Sequence, residues 1–301
     1  MTISTYSSTR CLTREKPICF DMVADGMVTL FKTPDSNNKI LEGGLRLQGL
    51  YKKNSEDKPL ITVVTVVFNG VEFLEDTIKS VIGQTYDNVE YIIVDGGSKD
   101  GTLDIIKKYE YAIDYWVSEP DKGIYDAMNK AIDLGSGDWI NFMNAGDYFF
   151  DSSVLNRVFE ESKNLIGYDV IYGDHLVRYP NRVRMAKAGK VKKLWQASQF
   201  CHQSAFVRLT YHKKNKFNLY RKIAADFEFF YKCMRAGSNM KYLPFVVSNV
   251  SAGGVSDVKR VDSVLERWLI VEKDFFVNIS YLAILTQTII KMSIKKYVCK
   301  N

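Results

Sequence analysis

Small polar and acidic residues follow four apolar segments in the first half of the chain. The segments end in Asn69-Gly70, Asp95-Gly96-Gly97, Glu119-Pro120-Asp121 and Asn144-Ala145-Gly146-Asp147. Such residues suit a nucleoside diphosphate, because Mg²⁺ or Mn²⁺ takes one or two protein carboxylates and fills its other positions with phosphate oxygens and water. Ala145 and Gly146 would let a ligand approach the backbone beside Asp147 closely. We therefore expect Asp147 to bind a divalent cation and Asp95 to accept a hydrogen bond from a base or a ribose.

Several common chemical signatures are missing from the sequence. The first apolar segment is followed by FNGVEF rather than GxGxxG, and no GxxxxGK[ST], GxSxG or HExxH is present. These absences argue against a dinucleotide enzyme, a P-loop NTPase, a serine hydrolase and a zinc peptidase. The five cysteines are odd in number and widely spaced, which argues against a disulfide framework or a structural zinc site.

Apolar runs alternate with helical periodicity between residues 60 and 150. The run LITVVTVV is typical of a strand that is buried on both faces, and the segment after it places Leu74, Ile78 and Val81 on one helical face. Four such alternations predict an α/β fold with a Rossmann-like, mostly parallel central sheet flanked by helices. Ligands bind beyond the carboxyl ends of the strands in such sheets, so the four polar ends should converge on one crevice.

The patterning divides the chain into three parts. Residues 1–58 are predicted to be an N-terminal extension and residues 59–260 the main domain, with a regular half (59–150) and a less regular half (151–260). Residues 261–301 are predicted to be a helical segment with a basic tail. The net charge of +6 is spread along the chain, so we expect no nucleic-acid partner. The N-terminus has no apolar core of the secretory type, so we expect a cytoplasmic protein.

Residues 275–290 carry no charge and precede a basic stretch beginning at Lys291. Three interpretations remain open. The segment is a helix buried against the body, an amphipathic helix at a membrane interface with its lysines at the headgroups, or a membrane span, for which it is shorter than the usual length of about 20 residues.

Five segments resemble the successive motifs of one enzyme family. TVVTVVFNG, IIVDGGSKDGT, SEPDKGIYDAMNKA, FMNAGD and IAADFEFFYKCMRAG are similar, in this order, to those of the GT-A-fold, family-2 inverting glycosyltransferases, especially bacterial enzymes of O-antigen, capsule or exopolysaccharide synthesis. The resemblance extends from about Leu60 to Gly254. It implies a less regular second half that binds the acceptor, and transfer of a hexose or N-acetylhexosamine from a nucleotide sugar, expected to be UDP-linked, to an acceptor hydroxyl. A lipid-linked oligosaccharide is the expected acceptor, with peripheral membrane contact through the C-terminal segment.

The resemblance also implies a role for individual residues. Asp226 matches the acidic residue whose carboxylate acts as the base that deprotonates the acceptor. Asp147 matches the metal-binding carboxylate. The loop 251–257 is implied to lie near the acceptor and the diphosphate. The positions implied to contact the nucleotide sugar are Val67, Asn69, Asp95, Gly96, Ser98, Asp121, Lys122, Gly123, Asn144, His202 and Gln203. One departure concerns the metal: the DXD-type motif of the family reads Asn-Ala-Gly-Asp here, and an amide binds a hard cation more weakly than a carboxylate. Dependence on Mn²⁺ or Mg²⁺ is therefore a prediction.

Each of these residues also has a structural interpretation. Asp147 suits a turn, Asp226 suits a helix N-cap, and His202 suits a hydrogen-bonded position in the core. Two other functions stay open as well. One is a sugar nucleotidyltransferase, although the Gly-rich signature with basic residues that such enzymes usually carry is absent; the other is a non-catalytic nucleotide-sugar-binding protein on the same fold.

Overall fold

The computed structural model describes residues 6–17, 29–35, 37–55, 57–160 and 162–298. Within them the helices are α1 (Leu74–Ile82), α2 (Thr102–Lys108), α3 (Ile124–Leu134), α4 (Val154–Phe159), α5 (Leu209–Lys214), α6 (Ala225–Arg235), α7 (Val255–Val258), α8 (Arg260–Ile270) and α9 (Phe275–Val298). The strands are β1 (Leu12–Thr13), β2 (Leu41–Gly43), β3 (Tyr51–Lys52), β4 (Ile61–Val67), β5 (Val89–Asp95), β6 (Tyr115–Ser118), β7 (Trp139–Phe142), β8 (Tyr148–Phe149), β9 (Val170–Tyr179), β10 (Arg182–Ala186), β11 (Ala205–Arg208) and β12 (Met240–Ser251). Parts of the N-terminal extension and the end of the basic tail lie outside the described residues.

A single large sheet organises the main domain. Its strand order is β2-β6-β5-β4-β7-β11-β9-β12-β8, and β10 pairs with β9. The strands β6, β5, β4 and β7 are parallel neighbours, which confirms the predicted sheet of the first half. Beyond them, β11 runs antiparallel between β7 and β9. The second half therefore continues the same sheet with mixed strand directions, and the overall fold class is as predicted.

Alternating residues of the central strand feed two hydrophobic cores. On β4, Val64 packs in a core with α3 and α6, whereas Val63 packs on the opposite face with α1. All seven residues of β4 are buried, as expected for a parallel strand covered by helices on both sides. The apolar stripe predicted for α1 is confirmed, because Leu74, Ile78 and Val81 are buried.

The N-terminal segment is attached to the sheet. Strand β2 extends the edge by pairing antiparallel with β6, and β1 pairs with β3 in a small separate sheet. Arg46 forms a buried ion pair with Glu90 of β5, with Nη2 and Oε1 2.5 Å apart. The boundary at residue 58 remains a prediction, but residues on its N-terminal side pack on the central domain.

The C-terminal helix α9 is mostly exposed. Between Phe275 and Ile294 the buried residues are Val277 and Tyr281. Tyr281 donates a hydrogen bond to the Trp195 carbonyl oxygen (2.8 Å) and stacks on Trp268 of α8. By length and composition alone, residues 275–294 are long and apolar enough to cross a membrane. The interpretation of α9 as a helix buried against the main domain is therefore correct for its first turns only.

Candidate active site

Loops after β4 and β5 are joined by Asn69 at the carboxyl edge of the sheet. Its backbone N–H donates to Ser98 Oγ (2.7 Å), and its Oδ1 accepts from the Lys99 backbone N–H (3.0 Å). The φ angle of Asn69 is +48°, a left-handed conformation that asparagine tolerates better than most residues. Asn69 and Ser98 are thus held together where the sequence predicted a shared crevice.

Asp95 is fully buried at the end of β5. Its carboxylate accepts hydrogen bonds from the backbone N–H groups of Gly97 (3.1 Å) and Ser98 (3.0 Å) and from the hydroxyls of Ser98 (2.5 Å) and Ser118 (2.6 Å). These contacts order the β5 loop and tie it to β6. A direct contact between Asp95 and a base or ribose remains a prediction.

Gly96 lets the loops after β5 and β6 approach closely. A Cβ at this position would lie 2.5 Å from Asp121 Oδ2 and 3.3 Å from the Phe68 ring. Asp121 also accepts from the Gly123 N–H (2.8 Å), ahead of α3, where Lys122 and Gly123 are exposed. The Phe68 side chain is 65% exposed here. Phe68 was not among the predicted site residues, although its place directly after a buried strand and before Asn69 was a signal for it.

The segment Asn144–Asp147 is a turn, and it also carries a buried carboxylate. Asp147 N–H donates to the Asn144 carbonyl oxygen (2.9 Å), so the turn interpretation is correct for the backbone. The Asp147 side chain accepts from Gln203 Nε2 (2.7 Å) and from the Ser251 N–H (2.9 Å). Burial raises the pKa of Asp147, and these two hydrogen bonds oppose that effect.

Asp226 lies in the first turn of α6, facing His202 and Tyr125. Its Oδ1 accepts from the Tyr125 hydroxyl (3.0 Å) and its Oδ2 lies 3.2 Å from His202 Nδ1. The other ring nitrogen of His202 is 3.0 Å from the Asn144 amide. The N-cap residue of α6 is Ala224, so the N-cap interpretation of Asp226 is wrong. The Asp226 carboxylate is therefore connected through His202 to Asn144, in the turn after β7.

Asp226 and His202 favour each other's charged form. Burial raises the pKa of Asp226, but the hydrogen bond and charge of His202, together with hydrogen bonds from the Phe227 N–H and the Tyr125 hydroxyl, outweigh it and leave the pKa below its ordinary value of 3.8. Burial lowers the pKa of His202, but the hydrogen bond and charge of Asp226, with smaller contributions from neighbouring groups that include Asp147, outweigh that effect, so the pKa ends above 6.5. The depressed carboxylate pKa stabilises the fold above pH 3.8, and the raised imidazole pKa stabilises it below pH 6.5. Between these values each group therefore favours its charged form.

The structure brings the predicted residues together in two adjoining groups. One joins Asn69, Gly96, Ser98 and Asp121 around Asp95. The other consists of Asn144, Asp147, His202, Gln203 and Asp226. Val67 supports the first group, since its carbonyl oxygen accepts from the Gly96 N–H (2.9 Å).

Arg178 of β9 is a further member of the site. Its Nη2 donates to the Gly146 carbonyl oxygen (2.6 Å) and to Ser251 Oγ (2.8 Å), and its guanidinium lies 4.0 Å from the centre of the Tyr148 ring. These contacts fix the turn beside Asp147 against the loop after β12. No signal in the sequence distinguished Arg178 from the other basic residues of this region.

Donor groups around Asp147 fit a hard cation. In the described part of the chain no three His, Cys, Asp or Glu side chains cluster as a metal site. However, the buried Asn144 Oδ1 has no hydrogen-bond partner in the described part of the chain. One carboxylate and one unpaired amide oxygen suffice for Mg²⁺ or Mn²⁺ when phosphate oxygens and water supply the remaining positions.

Comparisons with known proteins agree with this architecture. The PGL/p-HBAD biosynthesis glycosyltransferase of Mycobacterium bovis is 29% identical over 205 residues, which cover 66% of this chain and 80% of the relative. Staphylococcus aureus TarS shares the fold with a TM-score of 0.56 at 18% identity, over 75% of this chain and 43% of TarS. The mannosyltransferase PcManGT of Pyrobaculum calidifontis, solved with GDP-Man and Mn²⁺, gives a TM-score of 0.54 at 16% identity, over 70% of this chain and 64% of that one.

A parallel half-sheet with its crevice at the carboxyl edge, continued by mixed strands, is the GT-A fold of glycosyltransferases. Residues 62–241, more than half of the chain, match the profile described as Glycosyl transferase family 2. The chain belongs to this family, and the enzyme is a glycosyltransferase. Membership of the family favours glycosyl transfer over the nucleotidyltransferase alternative.

Proposed function

We propose that the enzyme transfers a hexose or N-acetylhexosamine from a UDP-linked sugar to a hydroxyl of a lipid-linked oligosaccharide in bacterial surface polysaccharide synthesis, with inversion at the anomeric carbon. One observation carries this proposal: the carboxylates of Asp147 and Asp226 are connected through the consecutive residues His202 and Gln203. One of the TarS structures with this fold (TM-score 0.52) contains UDP-GlcNAc, which supports a UDP-sugar as donor.

The nucleotide would occupy the group around Asp95. The exposed Phe68 ring offers a flat apolar surface for a base, and Asp121 offers a carboxylate beside it for polar groups of the nucleoside. The diphosphate would then extend towards Asn144 and Asp147. Bound Mg²⁺ or Mn²⁺ would offset the negative charge that develops on the departing diphosphate.

Asp226 would act as the general base. Its carboxylate accepts the proton of the acceptor hydroxyl as that oxygen attacks the anomeric carbon, on the side opposite the leaving diphosphate, so the configuration inverts. His202 keeps Asp226 ionised, and the Tyr125 hydroxyl orients its other oxygen. Both partners restrict the rotation of the carboxylate before the acceptor arrives.

The proposal is tested by thermal unfolding with nucleotides and nucleotide sugars, each with Mn²⁺, with Mg²⁺ and with a chelator. A ligand that binds only the folded protein raises Tm. We expect UDP and one UDP-sugar to raise Tm, and the chelator to remove the effect. A folded protein that responds to no nucleotide would contradict the proposed donor and the metal.

His202→Asn is expected to move the acidic limb of the pH profile of kcat/KM to higher pH. The variant loses the positive charge that holds the pKa of Asp226 low, so burial raises that pKa and more acid-side activity is lost. The profile of kcat/KM reports the free enzyme. His175→Asn, on β9, is the matched control and should leave the limb in place. An unmoved limb in His202→Asn would show that Asp226 is not the group being titrated.

The exposed apolar side chains of α9 support our proposal that this helix contacts the inner face of the cell membrane. Its large exposed apolar side chains are Phe275, Phe276, Ile279, Leu282, Ile289, Ile290, Met292 and Ile294. Exposed apolar area of this kind at the start of a basic stretch suits the boundary between lipid headgroups and acyl chains.

Replacing Phe276, Ile279 and Leu282 together by serine is expected to lower partitioning onto anionic vesicles by about tenfold or more for each side chain that enters the lipid, because each buried side chain contributes roughly 1.5–3 kcal/mol. Sedimentation with vesicles measures the effect. The control replaces Val183 and Met185, which are exposed apolar residues of β10, by serine. Equal binding of both variants and the wild type would mean that α9 does not contact lipid.

A further inference from the structure

A polar cavity of about 360 Å³ lies between the helices α7, α8 and α9. Arg260, Arg267 and Lys291 line it together with one carboxylate, Asp257, so three positive charges face one negative charge and the lining carries a net charge of +2. Serine and threonine hydroxyls complete the wall. Cationic side chains with hydroxyl donors are the groups that bind phosphate oxygens. The cavity therefore suits a small, doubly charged anion.

Helix α8 connects this cavity to the proposed base. Glu266, next to Arg267, accepts hydrogen bonds from the backbone N–H groups of Lys222 (3.2 Å), Ile223 (3.0 Å) and Ala224 (3.0 Å). These three residues directly precede α6, which carries Asp226. One turn of α8 thus fixes the segment before the base and places a guanidinium in the cavity.

Arg267 is itself a partly buried cation between the two sites. Within the described residues its guanidinium makes one hydrogen bond to the protein, from Nε to the Ser263 carbonyl oxygen (3.2 Å). Burial lowers its pKa, and the negative charge of Asp226 acts in the opposite direction. The remaining N–H groups of Arg267 are available to an anion bound in the cavity.

The far wall of the cavity is the exposed helix α9. Thr288 and Lys291 face the cavity, whereas the neighbouring Ile289 and Ile290 are exposed to solvent. An anion in the cavity would therefore have the base on one side and an apolar helix face on the other.

We propose that this cavity binds the diphosphate that joins the first sugar of the acceptor to its lipid. The proposal rests on the proposed function and adds the place of the anionic group. The sugar end of such an acceptor would point to Asp226, and the hydrocarbon chain would leave along α9 towards the membrane. A diphosphate could also come from the nucleotide donor, so the experiment must separate the two sources.

The probe is farnesyl diphosphate, measured by calorimetry on the full chain with saturating UDP present to fill the donor crevice. We expect farnesyl diphosphate to bind and farnesol, which lacks the anion, not to bind. The variant with Arg260→Gln and Lys291→Gln should bind farnesyl diphosphate at least about tenfold more weakly, as expected when two charge-assisted contacts are lost, while its affinity for UDP stays unchanged. Both residues are exposed, so the fold should tolerate the changes. Lys273→Gln, an exposed lysine between α8 and α9, is the control.

Three results would overturn the cavity proposal: equal binding of farnesol, binding of farnesyl diphosphate only when UDP is left out, or wild-type affinity in the double variant. If the protein binds UDP but not farnesyl diphosphate, the cavity proposal is wrong and the proposed function is unaffected. A protein that binds neither would overturn the proposed function as well.

Discussion

Asp226→Asn is expected to bind the donor with wild-type affinity and to lose transfer, with kcat lower by about 100- to 10,000-fold, the usual contribution of a general base. An amide cannot accept the proton of the attacking hydroxyl. Its oxygen can still accept from the Tyr125 hydroxyl, and His202 can meet its NH₂ group with the unprotonated form of Nδ1. The variant should therefore fold and keep the crevice intact. Single-turnover transfer measures the step, and calorimetry with the donor measures binding.

The matched control is Asp133→Asn at the end of α3, on the opposite edge of the sheet. Asp133 forms a partly exposed ion pair with Lys216, and such pairs contribute little to stability. This variant should transfer at the wild-type rate. If Asp226→Asn transferred as fast as Asp133→Asn, another group would have to be the base.

Asp147→Asn is expected to remove the dependence of donor affinity on divalent cations. The new amide oxygen can accept from the Ser251 N–H, and Gln203 can turn its own amide to accept from the new NH₂ group, so the change removes charge and preserves the local contacts. Asp147→Ala should lose metal-dependent binding too. It should also be less stable by about 1–3 kcal/mol, because two partly buried hydrogen bonds, from Gln203 and from the Ser251 N–H, are lost and each contributes roughly 0.5–1.5 kcal/mol.

Donor titrations with Mn²⁺, with Mg²⁺ and with a chelator distinguish these effects. Asp151→Asn, four residues further along and paired with Arg157 at the surface, is the control and should keep the metal response. Unchanged, metal-dependent donor affinity in both Asp147 variants would rule out Asp147 as a ligand of the cation.

Much of the first half followed from local patterns. An apolar β-branched strand such as β4 is stable only when both of its faces are buried. The apolar stripe of a helix such as α1 must likewise pack against another apolar surface. The alternation of the two therefore leaves a parallel sheet with helices on both faces as the natural solution. Polar residues after each strand then meet at one edge because parallel strands end on the same side. At this edge the loops after neighbouring strands lie close together, as Gly96 and Asp121 do.

Contacts between distant residues could not be predicted in this way. Tyr125 and Asp226 are 101 positions apart, and Arg178 reaches the turn at Gly146 from a strand whose direction no periodicity fixes. The N-terminal strand β2 carried no recognisable pattern, since three residues on a sheet edge make their hydrogen bonds through the backbone.

The sequence by itself determined the fold class and the edge of the sheet at which the polar residues after the parallel strands meet, because periodicity and strand direction are local properties of the chain. The tertiary structure alone decided that His202 pairs with Asp226, that Asp95 is enclosed by its own loop, and that three cations gather between α8 and α9. Charge states and cavities depend on burial and on neighbours from several elements, and only packing brings those neighbours together.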